Sequence, residues 1–215
     1  MACDNNIRKV DSAWPEPSII TEAARVIGGG GIVAFPTTTL YGLAGDAFNR
    51  STADRIRLLK KRPADKPILL LIRERHNLTE MAAAVPDAAE RVMDRFWPGM
   101  VTLILKAKPG LPDHLPAADG TIALRIPAHP VARALLNACH GPITGTSANI
   151  SGQPGISRAE RITQTMRERP DLILDAGPLK GGTGSTIVDV SVSPPRILRE
   201  GAIGAEELLA VIHGN

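Results

Sequence analysis

At 215 residues, with 43% hydrophobic side chains and only 3% aromatic ones, the chain can bury a substantial aliphatic core but offers little aromatic surface for stacking nucleic-acid bases. A formal net charge of +3 gives mild attraction for anions and argues against the dense basic patch of a dedicated DNA or RNA binder. Cys3 and Cys139 lie too far apart for a disulfide framework or a zinc spacing, and no apolar run approaches the roughly 18 residues of a membrane span, so a cytoplasmic setting is expected.

In chain order, the polar residues 1–16 read as an N-terminal extension ahead of one domain over 17–212. Ser18 is a candidate N-cap for a helix that the glycines 28–31 stop. Ile32–Phe35 is a short buried strand ending at Pro36, Ser51–Lys61 a helix rich in arginine and leucine, and Ile68–Ile72 a second buried strand. Asp87–Phe96 has helical spacing, whereas Val101–Lys106 and Thr121–Ile126 show the β-branched alternation of strands. Pro130–Cys139 suits a helix with proline in its first turn. A helix over Arg158–Arg167, strands near Leu172–Leu174, Ser185–Val190 and Arg196–Arg199, and a helix near Ala205–Ile212 follow. Strands and helices mix without a repeat, so the fold class is α/β, a single domain with a twisted open mixed sheet flanked by helices. Regular alternation breaks between Met100 and Ile126, where Pro109–Pro116 forms a proline-rich connection, which argues against a pure doubly wound sheet.

Four segments carry side chains suited to a nucleotide, its phosphates and a small carboxylate. FPTTTLYGLAGD at Phe35–Asp46 runs from a strand into hydroxyls and glycines, and KKRPADKP at Lys60–Pro67 packs four cations into seven residues. TIALRIP at Thr121–Pro127 holds a lone arginine in an apolar run, and TGTSANISG at Thr144–Gly152 presents Ser147, Asn149 and Ser151 between glycines. Each has a plainer reading. The cation run suits a solvated helix face, Arg125 an exposed or structurally paired arginine, and Pro36–Leu43 an ordinary turn. The position of the cations at a helix end, broken by Pro63 and Pro67, suits phosphate binding, in which arginine makes paired hydrogen bonds and lysine acts as a mobile point charge.

These motifs, with Gly184–Asp189 and Ile197–Gly201, give the chain a resemblance to the YrdC-like L-threonylcarbamoyladenylate synthases, extending over roughly residues 17–212. The family pattern appears as Pro36-Thr37-Thr38-Thr39-Leu40-Tyr41-Gly42-Leu43, as Lys60-Lys61-Arg62 with Lys66-Pro67, and as Ser147-Ala148-Asn149. The resemblance implies a concave site in which Lys60, Arg62 and Lys66 are catalytic. It gives Thr39, Arg125 and Ser185 to threonine, and Arg62, Lys66, Thr121, Ser147, Asn149 and Arg199 to the nucleotide. It implies condensation of L-threonine, bicarbonate or carbon dioxide, and ATP into threonylcarbamoyl-adenylate with release of pyrophosphate. Mg²⁺ would accompany ATP as substrate, with no protein-bound metal. A separate tRNA threonylcarbamoyl transferase complex would use the product, and this chain would bind tRNA weakly or not at all, in the manner of the short family members. Thr38 stands where the family usually has glutamate, and Leu71 where some longer members place histidine, so those roles do not carry over.

The GTSAN segment shares part of the G-x-S-x-G nucleophile elbow but ends in Asn149 and has no evident histidine or acid partner. The glycine runs lack the spacing of known phosphate loops, and the five histidines lack metal-ligand spacing. Two other functions remain open on sequence grounds: a module recognising structured RNA through a basic concave face, and a carbamoyl-transfer domain of the hydrogenase-maturation type. Threonine-dependent ATP turnover separates them.

Overall fold

The computed structural model describes residues 6–63, 67–166 and 168–214. Its strands, in chain order, are β1 (Ile7–Lys9), β2 (Val33–Pro36), β3 (Tyr41–Ala44), β4 (Leu70–Leu71), β5 (Val101–Lys106), β6 (Thr121–Arg125), β7 (Ile143–Thr144), β8 (Thr146–Ser147), β9 (Leu172–Asp175), β10 (Thr186–Asp189) and β11 (Arg196–Arg199). The helices are α1 (Pro17–Gly28), α2 (Arg50–Lys60), α3 (Leu78–Met81), α4 (Asp87–Phe96), α5 (Pro130–Ala138), α6 (Ala159–Thr165) and α7 (Ala205–His213).

The α/β class holds, but the strands form two mixed sheets where the sequence suggests one. One sheet runs β1-β9-β2-β3-β8 and the other β11-β10-β5-β6-β4-β7. The join is the segment Ile143–Ser147, whose first half pairs with β4 and whose second half pairs with β3. Between the halves lies Gly145, whose N–H donates to the Leu69 carbonyl at 2.8 Å. A Cβ at this glycine would sit 2.5 Å from Cγ of the fully buried Leu71, so the crossing requires a residue without a side chain. The segment before Pro17 also enters the architecture, since β1 pairs in parallel with β9 and Lys9 forms an ion pair with Asp175.

Period-two alternation decides what each sheet face does. Val101, Leu103 and Leu105 of β5, Ile122 and Leu124 of β6 and Val188 of β10 point to one side, where they pack with residues of α4 and α7. Thr102, Ile104, Ala123, Arg125 and Ile187 point to the other side and line a cavity. The five-stranded sheet is covered on both faces. Val33, Phe35, Leu172 and Leu174 pack with α1 and α5, while Ala34, Leu43 and Ile173 pack with α2 and α6. Aliphatic residues make up most of these cores, as the composition requires, with Phe35, Tyr41, Phe96 and Trp97 among them.

Helix α2 aims the cation segment. Asn49 caps its start by accepting the Thr52 N–H at 3.2 Å, and Lys61 ends it in the left-handed region at φ 47°. This sharp stop sends Lys60 inward and turns the chain toward Arg62. Helix α1 begins at Pro17 after Glu16, so Ser18 lies inside the helix instead of capping it.

Candidate active site

The cavity, about 590 Å³ in volume, lies between the inner face of β5, β6, β10 and β11, the β2–β3 turn, the end of α2 and the residues after β8. Four cations line it: Lys60, Arg62, Arg125 and Arg199. No aspartate or glutamate does so among the described residues. An enclosed space with this charge balance calls for a polyanion.

Arg125 ends β6 with its side chain on the cavity face and is only 6% exposed. No hydrogen bond or ion pair joins its side chain to another described residue, and its Nε is a buried donor without an acceptor. Burial, and secondarily the like charge of Arg199, pull the guanidinium down to about 10. A buried, unmatched guanidinium is costly unless an anion arrives, and a carboxylate fits its two-pronged geometry. Beside it, the buried hydroxyls of Thr102 and Ser185 share a hydrogen bond at 2.8 Å. Arg199 leans over this pair and donates from Nη2 to the Ser185 carbonyl at 2.7 Å. Burial lowers its pKa as well.

The opposite wall is the segment Ser147–Ser151. Lys60, only 2% exposed, donates from Nζ to the carbonyls of Ser147 and of Asn149, the latter at 2.7 Å, and lies 3.5 Å from Asn149 Oδ1. The Ser147 hydroxyl donates to Asn149 Oδ1, while Asn149 Nδ2 donates to the carbonyls of Ile150 and Gln153. Ser151 closes the segment by donating its N–H to the Lys60 carbonyl at 2.8 Å, yet its own hydroxyl is buried in the wall without a partner.

The β2–β3 turn completes the enclosure. Thr37 holds it through its N–H and hydroxyl, both donating to the Leu40 carbonyl. The Thr39 hydroxyl donates to the Thr183 carbonyl at 3.2 Å, and the Thr39 carbonyl accepts the Gly181 N–H. The buried Tyr41 hydroxyl donates to the Gly177 carbonyl at 2.8 Å. Together these contacts pin the glycine-rich residues 177–184 along the cavity, where Gly182 and Gly184 form part of the wall.

Of the residues singled out from the sequence, Thr39, Lys60, Arg62, Arg125, Ser147, Asn149, Ser185 and Arg199 line this one cavity. Lys66 lies outside the described residues. Thr121 does not line the cavity, because it starts the strand that Arg125 ends, about 13 Å away at ~3.3 Å per residue. Its hydroxyl is taken by Asp119 Oδ1 at 2.7 Å. Lys60 also departs from the expected mobile charge, since it is buried and bonded to backbone. Thr102, to which the sequence reading gave no role, sits beside Ser185, and its signal was the period-two alternation that sets it opposite the core residues Val101 and Leu103. Ser151 was visible in the motif, but its unpartnered hydroxyl was not.

A family profile described as "Telomere recombination" and bearing the names Sua5, YciO and YrdC matches residues 25–201. A threonylcarbamoyl-AMP synthase of Pyrococcus abyssi is 36% identical over 207 residues, covering 96% of this chain, which spans 60% of that protein's length. A putative threonylcarbamoyl-AMP synthase of Mycobacterium tuberculosis is 37% identical, with 94% of each chain covered. Among solved structures, P. abyssi Sua5 complexed with L-threonine superposes with a TM-score of 0.90 at 36% identity, over 96% of this chain and 60% of that one.

Proposed function

From the premise that the chain belongs to the Sua5/YciO/YrdC family, we propose that it condenses L-threonine, bicarbonate and ATP into threonylcarbamoyl-adenylate, releasing pyrophosphate. The observation that carries this reading is Arg125, a buried guanidinium without an anion, facing Arg199 in a cavity whose described walls hold no carboxylate. One small carboxylate and one polyphosphate would supply the missing negative charge.

In this reading Arg125 pairs with the threonine carboxylate, and Thr39 and Ser185 hold the rest of the amino acid. Arg62 and Arg199 take the phosphates, with Lys66 as a further phosphate contact, and Ser147 and Asn149 border the nucleotide. The threonine amine bonds to the bicarbonate carbon with loss of water. An oxygen of the resulting carbamate then attacks the α-phosphorus in line, the bond to the β-phosphate breaks, and pyrophosphate leaves. Charge builds on the phosphate oxygens during this step, and fixed guanidinium groups stabilise it without rearranging. The described walls offer a divalent cation no carboxylate, so Mg²⁺ would travel on the phosphates and neutralise part of their charge.

Among the described residues, no helix is long and apolar enough to cross a membrane. A cytoplasmic enzyme that hands a diffusible adenylate to a separate tRNA-modifying transferase, and itself holds tRNA weakly, fits cations gathered inside a cavity. The test is pyrophosphate release by purified protein: it should require threonine and bicarbonate together, with an AMP-level product. Release of ADP and orthophosphate would overturn the proposal.

A further inference from the structure

Lys60 is the most buried charged side chain in the cavity wall, and its ammonium donates to backbone carbonyls of the same wall. We propose that Lys60 acts through the segment Ser147–Ser151, as a positioning residue that holds the Ser151 hydroxyl in the wall as a ligand contact, and does not itself touch the ligand. The inference rests on the nucleotide reading of the cavity. Its two roles are a positioning role for Lys60 and a binding role for Ser151.

The segment is wrapped around this one residue. The ammonium donates to the carbonyls of Ser147 and Asn149 and approaches Asn149 Oδ1, so its three oxygen neighbours all belong to this segment. The carbonyl of the same lysine accepts the Ser151 N–H at 2.8 Å. Side chain and main chain of Lys60 therefore fix both ends of a stretch whose middle is tied by the Ser147 hydroxyl and the Asn149 amide. Within that stretch the polar side chains of Ser147 and Asn149 satisfy one another, whereas the Ser151 hydroxyl is left buried and unpartnered in the cavity wall. A buried hydroxyl without a partner is unfavourable unless a ligand completes it. The cation run that the sequence presents as one phosphate grip thus divides. Arg62, whose Nη2 donates to the Pro67 carbonyl, stays at the cavity, and Lys60 braces the wall opposite.

The experiment compares ATP binding by the full-length chain, Lys60→Met, Ser151→Ala and the double variant, with titration calorimetry. If Lys60 works through the segment, Lys60→Met weakens ATP binding by about tenfold, and adding Ser151→Ala changes it by less than about twofold, because the hydroxyl has already lost its place. Two independent ligand contacts would instead multiply their losses, and that result overturns the proposal. Amide hydrogen exchange is followed in the same proteins and in Lys60→Gln. Faster exchange at Ala148, Asn149 and Ser151, with the β2–β3 pairing still protected, is expected. Unchanged exchange at those three amides overturns the strut whether or not ATP binds. Loss of the whole fold in both lysine variants, read by circular dichroism, would make Lys60 a core residue and equally overturn it. If the unaltered protein fails to bind ATP, the nucleotide reading falls and the exchange data still judge the strut.

Discussion

At the scale of single residues, Arg125 sets stability against binding. Its charge is buried without a described partner, so replacing it with an apolar side chain of similar length removes a cost that the ligand-free fold carries. Arg125→Met should therefore raise stability by about 1–3 kcal/mol while threonine affinity falls at least ~100-fold, and urea unfolding alongside threonine titration checks both. Arg125→Lys should also bind threonine poorly, since an ammonium cannot reproduce the two parallel hydrogen bonds. A parallel loss of stability in Arg125→Met would show that the guanidinium is matched in the fold after all. Lys60 makes a second prediction, this time in pH. Burial first, and Arg62 second, pull its ammonium from an ordinary 10.5 to about 7. Between those values the unfolded chain binds more protons than the folded one, so this group's contribution makes folding more favourable as pH rises from 7 toward 10. The unfolding midpoint of the unaltered protein should gain on that of Lys60→Met between pH 7 and pH 9. Midpoints that stay parallel would mean that Lys60 keeps its proton throughout.

At the scale of elements, the crossing segment and helix α2 position the site. Gly145→Ala would drive a methyl group to 2.5 Å from Cγ of Leu71, which is fully buried and would have to shift. A loss of about 1–3 kcal/mol is expected, together with weaker nucleotide binding, because β7 and β8 then lose their alignment. Asn49→Ala removes the cap of α2 and should cost about 1 kcal/mol, with binding affected less. Thermal unfolding and ATP titration of both variants test this order. The same elements show what the sequence could and could not tell. Asp87–Phe96, Val101–Lys106 and Arg196–Arg199 are read with their observed bounds, because each has a clean period or a clear stop. The two-residue strands β4, β7 and β8 are too short to show a period, and distant partners define them. Strand β3 is hidden within a motif that reads as polar loop, and both readings hold, since Thr37–Thr39 form the turn and Tyr41–Ala44 the returning strand. Side-chain chemistry and motif order drew attention to the cavity-lining residues. Whether a given polar atom was free or already occupied depended on tertiary contacts, as Lys60 and Ser151 show.

At the scale of the whole molecule, charge is sorted by location. Outside the cavity, arginines meet acids, as in Arg8–Glu22, Arg55–Asp171 and Arg75–Asp94, whereas Lys60, Arg125 and Arg199 inside meet no described carboxylate. Pyrophosphate should therefore raise the thermal midpoint where sodium chloride of equal ionic strength does not, reaching about 2.7 kcal/mol of added stability at a hundredfold excess over its Kd. Equal responses to the two salts would place the effect on the surface. The residues that would grip these anions come from position 39 to position 199, and the two sheets that carry most of them share the segment Ile143–Ser147. That shared segment has a kinetic consequence. A pocket built from contacts so distant along the chain has little form in the transition state for folding, so a bound anion cannot hasten the chain's arrival. It can only delay departure. Saturating pyrophosphate should slow unfolding many-fold while leaving the refolding rate nearly unchanged, and in the cell the occupied protein would outlast the empty one by resisting escape.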